Sequence, residues 1–291
     1  MPSILALKLD KICFQRLTRA TYEYKEISMK QAEWRIAEGK KRRLNDIFSA
    51  LENAVDDETG RKYTRTELIS EAALLIIAGS DTVGTAMSAT VFYLLHCPES
   101  LARVQHEVRS AFSSLDEINI GSRLNGCEYL FACFDEALRL APPVPGILAR
   151  EVLPGGLLID GVFIPQGIDL GVPIYALHHQ ERYFSKPWEF QPSRWIIGES
   201  GTTEENLKLA RSAFTAFGYG RTSCVGKNLA YQEMGLTIAR LIWQYDWRLQ
   251  PQLLPSKSWV WGRDKATEFQ LWDKFVTVSN GPMVEFKERV T

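Results

Sequence analysis

This chain of 291 residues lacks the cysteine pattern of a disulfide-bonded or zinc-binding protein. Its five cysteines are odd in number and form no Cys-x-x-Cys pair, which indicates a reducing compartment. An excess of one charge is also missing, because 34 basic residues face 35 acidic ones and the net charge is −1. Basic runs interleaved with aromatic residues do not occur, so we expect no nucleic-acid partner. The cysteines are Cys13, Cys97, Cys127, Cys133 and Cys224.

Internal repeats and low-complexity linkers are missing as well. Charged residues appear already at Lys8, Asp10 and Lys11, so we expect no secretory signal or membrane anchor at the start of the chain. That absence predicts a cytoplasmic location for the chain as given. A hydrophobic content of 45% and a charged content of 24% are those of an ordinary globular protein, for which we expect a monomer.

One long apolar run, residues 72–98, has Asp81 as its only formal charge. Its length would allow it to cross a bilayer. Ser80, Thr82 and Thr85 add a polar stripe, which is unlike a lipid-facing helix. The pattern therefore favours a long helix buried in a soluble core over a membrane span.

The remaining pattern predicts a mainly α-helical fold with small β-sheets, in one domain over residues 1–291. Thr64 and Glu67 have the spacing of a capping box, and Asp160-Gly161 between two apolar runs is typical of a β-hairpin. Helices are expected at 98–112, 128–140 and 227–245. The expected regions are helical at 1–149 and β-rich at 150–175, with a cysteine loop and its helix at 214–245 and a C-terminal hairpin at 268–287 near Asn280-Gly281.

The cysteine loop, residues 217–226, holds Cys224 between Gly220 and Gly226, directly before a predicted helix. A sulfur at a helix N-terminus faces unpaired N–H groups and the positive end of the helix dipole, which favour the thiolate. The residues alone leave three interpretations open: a structural cysteine, a nucleophile paired with a histidine, or a ligand to haem iron. Only four histidines are available for the second interpretation: His96, His106, His178 and His179.

The spacing Phe-x-x-Gly-x-x-x-Cys-x-Gly over residues 217–226 resembles the haem-binding loop of the cytochrome P450 family. The resemblance implies haem b as cofactor and Cys224 as the ligand of its iron. It also implies that Phe217, Gly220 and Gly226 shape the loop around the sulfur.

A second motif, Ala78-Gly79-Ser80-Asp81-Thr82, resembles the oxygen-activation motif of the same family. Gly79 would let the helix backbone approach a flat cofactor. A threonine hydroxyl inside a helix can bond a preceding carbonyl and open a local bulge that admits water. The resemblance implies that Asp81 and Thr82 pass protons during oxygen activation.

A third signature joins Glu136-x-x-Arg139 with Arg194 of a Phe-x-Pro-x-Arg segment, and implies a buried structural cluster. The resemblance also places Arg150 and His178 near the haem propionates. In one departure, Thr222 stands two residues before Cys224, where the family usually has arginine. Arg221, three residues before the cysteine, is the expected substitute.

The resemblance extends from about residue 46 to residue 286 and is similar to fungal members of the averantin- or isotrichodermin-hydroxylase type. It implies a monooxygenase of secondary metabolism that acts on an apolar small molecule and takes electrons from an NADPH-dependent reductase. Such proteins lie on the cytoplasmic face of the endoplasmic reticulum. The resemblance also implies that the N-terminal two-fifths of a family member, with its anchor, have no counterpart in the given residues. Two alternatives stay open: a catalytically incompetent haem-binding remnant, and a haem-thiolate enzyme of isomerisation or dehydration.

Overall fold

The computed structural model describes residues 15–39, 46–250, 267–279 and 281–289. Most of the secondary structure in these residues is helical, and the sheets are short and antiparallel, which confirms the predicted fold class. The helices are α1 (Gln15–Gly39), α2 (Ile47–Asn53), α3 (Arg65–His96), α4 (Pro98–Ala111), α5 (Ser122–Asn125), α6 (Glu128–Leu140), α7 (Ile174–His178), α8 (Glu204–Ala213) and α9 (Lys227–Gln244). The strands are β1 (Arg150–Glu151), β2 (Leu157–Ile159), β3 (Val162–Ile164), β4 (Asp169–Leu170), β5 (Tyr245–Leu249) and β6 (Val284–Glu288). The chain divides into two compact units, and the boundary lies between Ser80 and Asp81, inside α3.

The first unit joins α1, α2 and the beginning of α3 through charged side chains. Arg35 of α1 binds both carboxylate oxygens of Asp46 at 2.7 Å, and Asp46 in turn caps α2 through the backbone N–H of Ser49. This arginine, first among several causes, lowers the pKa of Asp46. Ion pairing and capping thus fix the start of α2 at Asp46.

The start of α3 follows the predicted capping box. The Thr64 hydroxyl accepts the backbone N–H of Glu67, and the Glu67 carboxylate accepts the backbone N–H of Thr64 at 2.8 Å. Two N–H groups at the helix start are satisfied in this way. The prediction from the Thr-x-x-Glu spacing is confirmed.

Burial along α3 differs from the prediction of a helix buried throughout. The core of the second unit includes this helix only from Val83 onwards, whereas Leu74 and Ile77 are 57% and 43% exposed. By length and composition alone, Arg65–His96 also satisfies the criteria for a membrane-crossing helix. The half that follows Val83 has the burial of a core helix.

The core of the second unit surrounds α6. Every residue from Tyr129 to Leu140 except Phe131 is buried, and α4 and α9 pack beside this helix. The predicted bounds of α6 are confirmed, and those of α4 and α9 agree to one residue. The apolar core includes Leu94, Val104, Val108, Phe134 and Ile238.

The N-terminus of α6 is capped from a neighbouring helix. Glu107 of α4 accepts the backbone N–H groups of Tyr129 and Leu130 at 2.8 and 2.9 Å. Its carboxylate also lies at the positive end of the helix dipole, where negative charge is favourable. One side chain therefore joins α4 to the most buried helix of the unit.

Replacing this carboxylate should destabilise the fold. We expect Glu107→Ala to lower the free energy of unfolding by about 1.5–3 kcal/mol, because two N–H groups lose a charged acceptor. Urea unfolding followed by circular dichroism measures the loss. Glu99→Ala, an exposed glutamate on the same helix, is the matched control. A loss equal to that of the control would contradict the capping role.

The predicted β-rich region contains two short antiparallel pairs. β1 pairs with β4, and β2 pairs with β3 in a register that places Ile159 opposite Val162. Asp160 and Gly161 between them both have positive φ, as the two-residue turn of a hairpin requires. The predicted hairpin is confirmed.

The C-terminal residues are arranged differently from the predicted hairpin at 268–287. β6 pairs with β5, so that Phe286 lies opposite Trp247, while Trp272 forms an isolated bridge with Val278. Asn280 lies outside the described residues. The aromatic rings of Trp247 and Phe286 meet at 5.8 Å, which favours this long-range pairing.

Candidate functional site

Cys224 lies in the segment of residues 214–226 between α8 and α9. We call this segment, which includes the cysteine loop, the thiol loop. Gly218 and Gly220 adopt positive φ, which lets the loop fold back on itself. The backbone N–H of Cys224 donates to the carbonyl of Phe217 at 2.7 Å, and that of Ser223 donates to Gly220. These bonds close the loop and place Cys224 three residues before α9.

The sulfur of Cys224 belongs to a free and exposed side chain. Its neighbours Tyr219 and Val225 are 86% and 95% exposed, so this part of the loop is an open surface. Gly226 at the N-cap of α9 has no side chain that could satisfy the first N–H groups of the helix. The first turn of α9 therefore has no side-chain cap.

An arginine from the β-rich region reaches the thiol loop. Arg150 donates from Nη2 to the hydroxyl of Thr222 at 3.0 Å and from Nη1 to the carbonyl of Ala149 at 2.8 Å. Thr222 is the residue that departs from the usual family pattern, and Arg221 beside it is exposed. The structure thus brings Arg150 to the position where the sequence lacks an arginine. A propionate contact by Arg150 or Arg221 stays a prediction.

His178 has a structural position that differs from the predicted propionate contact. Its side chain is fully buried, Nδ1 lies 3.1 Å from the carbonyl of Arg139, and Nε2 accepts the backbone N–H of Thr215 at 2.9 Å. Both ring nitrogens are therefore engaged by the backbone, and none is left for a propionate. Burial lowers the pKa of His178 to about 3, so the ring is neutral. It connects the end of α6 to the start of the thiol loop.

Glu136, Arg139 and Arg194 lie together in the core, as their spacing predicted. The Glu136 carboxylate accepts bonds from Nε and Nη2 of Arg139 at 3.0 and 2.9 Å, and from Nε of Arg194 at 2.9 Å. Glu136 and Arg139 are fully buried. Although burial raises the pKa of Glu136, the two arginines lower it below its ordinary value. The carboxylate is therefore charged and paired.

The same cluster contains two partners that the motifs did not predict. The indole of Trp195 donates to Glu136 at 2.9 Å, and the backbone N–H of Gln191 donates at 3.0 Å. Arg139 also donates to the carbonyls of His178 and Pro187 at 2.8 and 2.7 Å. The only feature of the sequence that could have indicated the Trp195 contact is that Trp195 directly follows Arg194. These bonds tie the irregular segment 187–195 to α6.

The predicted oxygen-activation residues lie in the middle of α3. Asp81 is exposed and Thr82 is half-buried, while Gly79 has open space where a Cβ would stand. The expected bulge is not formed, because α3 is a continuous α-helix from Arg65 to His96. The Ser80 hydroxyl bonds a preceding carbonyl, that of Ile76, at 2.8 Å. The proton-relay role of Asp81 and Thr82 stays a prediction.

The thiol loop fits a haem on chemical grounds. It offers one exposed sulfur, an open surface with Tyr219 and Val225, and a cationic side chain, Arg150, beside Thr222. A thiolate is an established axial ligand for haem iron, and arginine is suited to a carboxylate. A model of the cytochrome P450 family matches residues 5–261. The chain belongs to the cytochrome P450 family.

Curated relatives support this assignment. The chain is 41% identical to cytochrome P450 monooxygenase apf8 of Gibberella fujikuroi, over 84% of the chain and 66% of the relative. It is 42% identical to monooxygenase AKT7 of Alternaria alternata, over 84% and 48%, and 39% identical to monooxygenase lcsN of Purpureocillium lilacinum, over 99% and 84%. The chain thus spans between about half and two-thirds of the length of the first two relatives.

Membership in the P450 family implies a haem cofactor. The resemblance found in the cysteine loop is thereby confirmed at the level of the family. Motif spacing did not find α8, which leads into the thiol loop. Its signal was Thr203-x-x-Asn206, since Thr203 and Asn206 form a reciprocal capping box at the start of this helix.

Proposed function

We propose that this P450 chain carries the haem of a monooxygenase that hydroxylates or epoxidises an apolar small molecule in fungal secondary metabolism. The observation that supports the proposal most is the exposed thiol of Cys224 on a loop braced at its base by a buried cluster. Relatives named as fungal monooxygenases support the reaction class. Electrons would come from an NADPH-dependent reductase, and full-length relatives are expected at the endoplasmic reticulum membrane.

In this proposal each group of residues has one task. Haem, when bound, supplies the activation of dioxygen and the insertion of one oxygen atom into the substrate. Cys224 provides the anionic sulfur ligand, and the N–H groups at the start of α9 stabilise its charge. Arg150 supplies positive charge beside the loop for the propionates. Asp81 and Thr82 pass on the protons that the reaction consumes.

The buried cluster holds the loop in place at its N-terminal end. Arg139 binds the backbone around Pro187, and His178 binds the N–H of Thr215. Since both side chains are buried and fully hydrogen-bonded, the start of the loop is fixed relative to α6. A ligand sulfur needs this precision, because a displaced ligand binds the metal less tightly.

An apolar substrate is consistent with the exposed side chains on the segment that leads to Arg150. Ile147 is 55% exposed and follows Gly146, and Leu148 is half-buried. We propose that Ile147 and Leu148 contribute to the walls of the substrate site.

The proposal is tested by the spectrum of the haem-loaded chain, reduced under carbon monoxide. We expect the red-shifted Soret band of a thiolate ligand, and we expect Cys224→Ser to abolish it while Cys97→Ser retains it. Cys97 is the matched control because it is a free, half-buried cysteine at the start of α4. Absence of the band from the parent chain, or its persistence in Cys224→Ser, would contradict the proposal.

A further inference from the structure

Phe217, whose carbonyl holds the N–H of Cys224, is itself held by two side chains of α9. The ammonium of Lys227 lies 5.7 Å from the centre of its ring, and the ring of Tyr231 lies 5.3 Å away. Lys227 and Tyr231 are four residues apart, so they share one face of the helix. Phe217 therefore sits against a cation and an aromatic ring one turn apart.

Tyr231 is in turn fixed by a buried carboxylate. Its hydroxyl donates to Oδ1 of Asp135, and Nη1 of Arg211 lies 2.7 Å from Oδ2 of the same residue. Asp135 is buried on α6, directly before Glu136. Burial raises the pKa of Asp135, and burial together with the Asp135 charge raises that of Tyr231. The hydroxyl therefore keeps its proton and remains a donor.

We infer that Tyr231 is a positioning residue that anchors the thiol loop to α6, through Phe217 on one side and Asp135 on the other. This inference rests on the proposed function for its consequence, the stability of thiolate ligation. His178 holds the start of the loop at Thr215. Tyr231 holds Phe217, whose carbonyl bonds the N–H of Cys224, so the loop is attached to α6 through two neighbouring residues.

The arrangement also lies at a surface cleft of about 390 Å³, which Asp135, Phe131 and Arg211 line with Trp195. Arg211 stacks on the indole of Trp195 at 4.6 Å, and Trp195 bonds Glu136. The two attachments of the loop are thus linked by contacts that run from Asp135 through Arg211 and Trp195 to Glu136. Removing the Tyr231 hydroxyl should affect the loop without removing a member of the Glu136 cluster.

Hydrogen exchange of the haem-free chain, followed by mass spectrometry, tests the inference. We expect Tyr231→Phe to speed exchange in peptides covering residues 217–226 about tenfold, because the anchor of the ring is lost and local opening becomes easier. Amides of α6 serve as the internal reference for global stability. Tyr129→Phe is the matched control, since this buried tyrosine donates to Ser100 at 3.0 Å, away from the loop.

A second variant and a second readout complete the test. Asp135→Asn keeps an oxygen acceptor for the hydroxyl, and we expect a smaller increase in loop exchange. In the haem-loaded chain, Tyr231→Phe should lose the thiolate-type band at a lower urea concentration than Tyr129→Phe. Loop exchange at the rate of the parent in both Tyr231→Phe and Asp135→Asn would overturn the inference. A missing band in the parent chain would instead count against the proposed function, and the exchange result would still decide the anchoring role.

Discussion

The substitution Glu136→Ala is expected to lower the free energy of unfolding by about 3–5 kcal/mol, because it strands two buried guanidinium groups. Arg139 is fully buried and Arg194 nearly so, and both pair with this carboxylate. The indole of Trp195 loses its acceptor as well. Urea unfolding followed by circular dichroism measures the shift of the transition.

A glutamate on the same helix provides the control for this measurement. Glu128 is exposed in the first turn of α6, and its replacement by alanine should cost about 0.5 kcal/mol through the helix dipole. Similar losses in the two variants would show that the buried cluster contributes no more than a surface charge. Because whole domains are stable by only about 5–15 kcal/mol, the Glu136 variant should also show a folded fraction that falls on mild warming.

Acid should destabilise the chain through His178. Burial lowers the pKa of this imidazole from 6.5 to about 3 in the folded state, so between these values the unfolded state binds a proton that the folded state excludes. The contribution of His178 to the free energy of unfolding is fully present above pH 6.5 and is lost as the pH falls towards 3. The slope is about 1.4 kcal/mol per pH unit, which gives a loss of about 2 kcal/mol between pH 7 and pH 5.

A difference measurement isolates this contribution from other titrating groups. His178→Gln should be less stable than the parent at pH 7, because two buried hydrogen bonds change. The difference in free energy of unfolding between the parent and the variant should then shrink by about 2 kcal/mol at pH 5. Only the parent contains the buried histidine whose protonation in the unfolded state lowers its stability. If the difference in free energy of unfolding between the parent and His178→Gln is the same at pH 7 and pH 5, the neutral buried state of His178 is refuted.

Local patterns predicted the helices well and the β pairing less well. The bounds of α6 and the hairpin at Asp160-Gly161 follow from rules that act within a few residues, such as proline stops and turn conformations. β6 pairs with β5 across more than thirty residues of sequence, and that choice depends on which strand edge the folded chain presents. The C-terminal hairpin prediction therefore differed from the structure.

The candidate site divides in the same way. Motif spacing predicted that Glu136 and Arg139 lie together with Arg194, and the structure brings the three side chains together. Spacing did not reveal how the loop is attached. The bonds of His178 to Arg139 and Thr215, and that of Tyr231 to Asp135, each join residues far apart in the sequence.

The sequence by itself determined the family and the order of the helices, since short motifs and local periodicity carry that information. It predicts Cys224 as the ligand sulfur. The tertiary structure alone decided which polar groups are desolvated and which partners they find. Burial made His178 a neutral brace instead of a propionate contact, and it made Asp135 an anchor for Tyr231. The energy of a buried polar group depends on its distance to partners from other helices and loops, which no local pattern specifies.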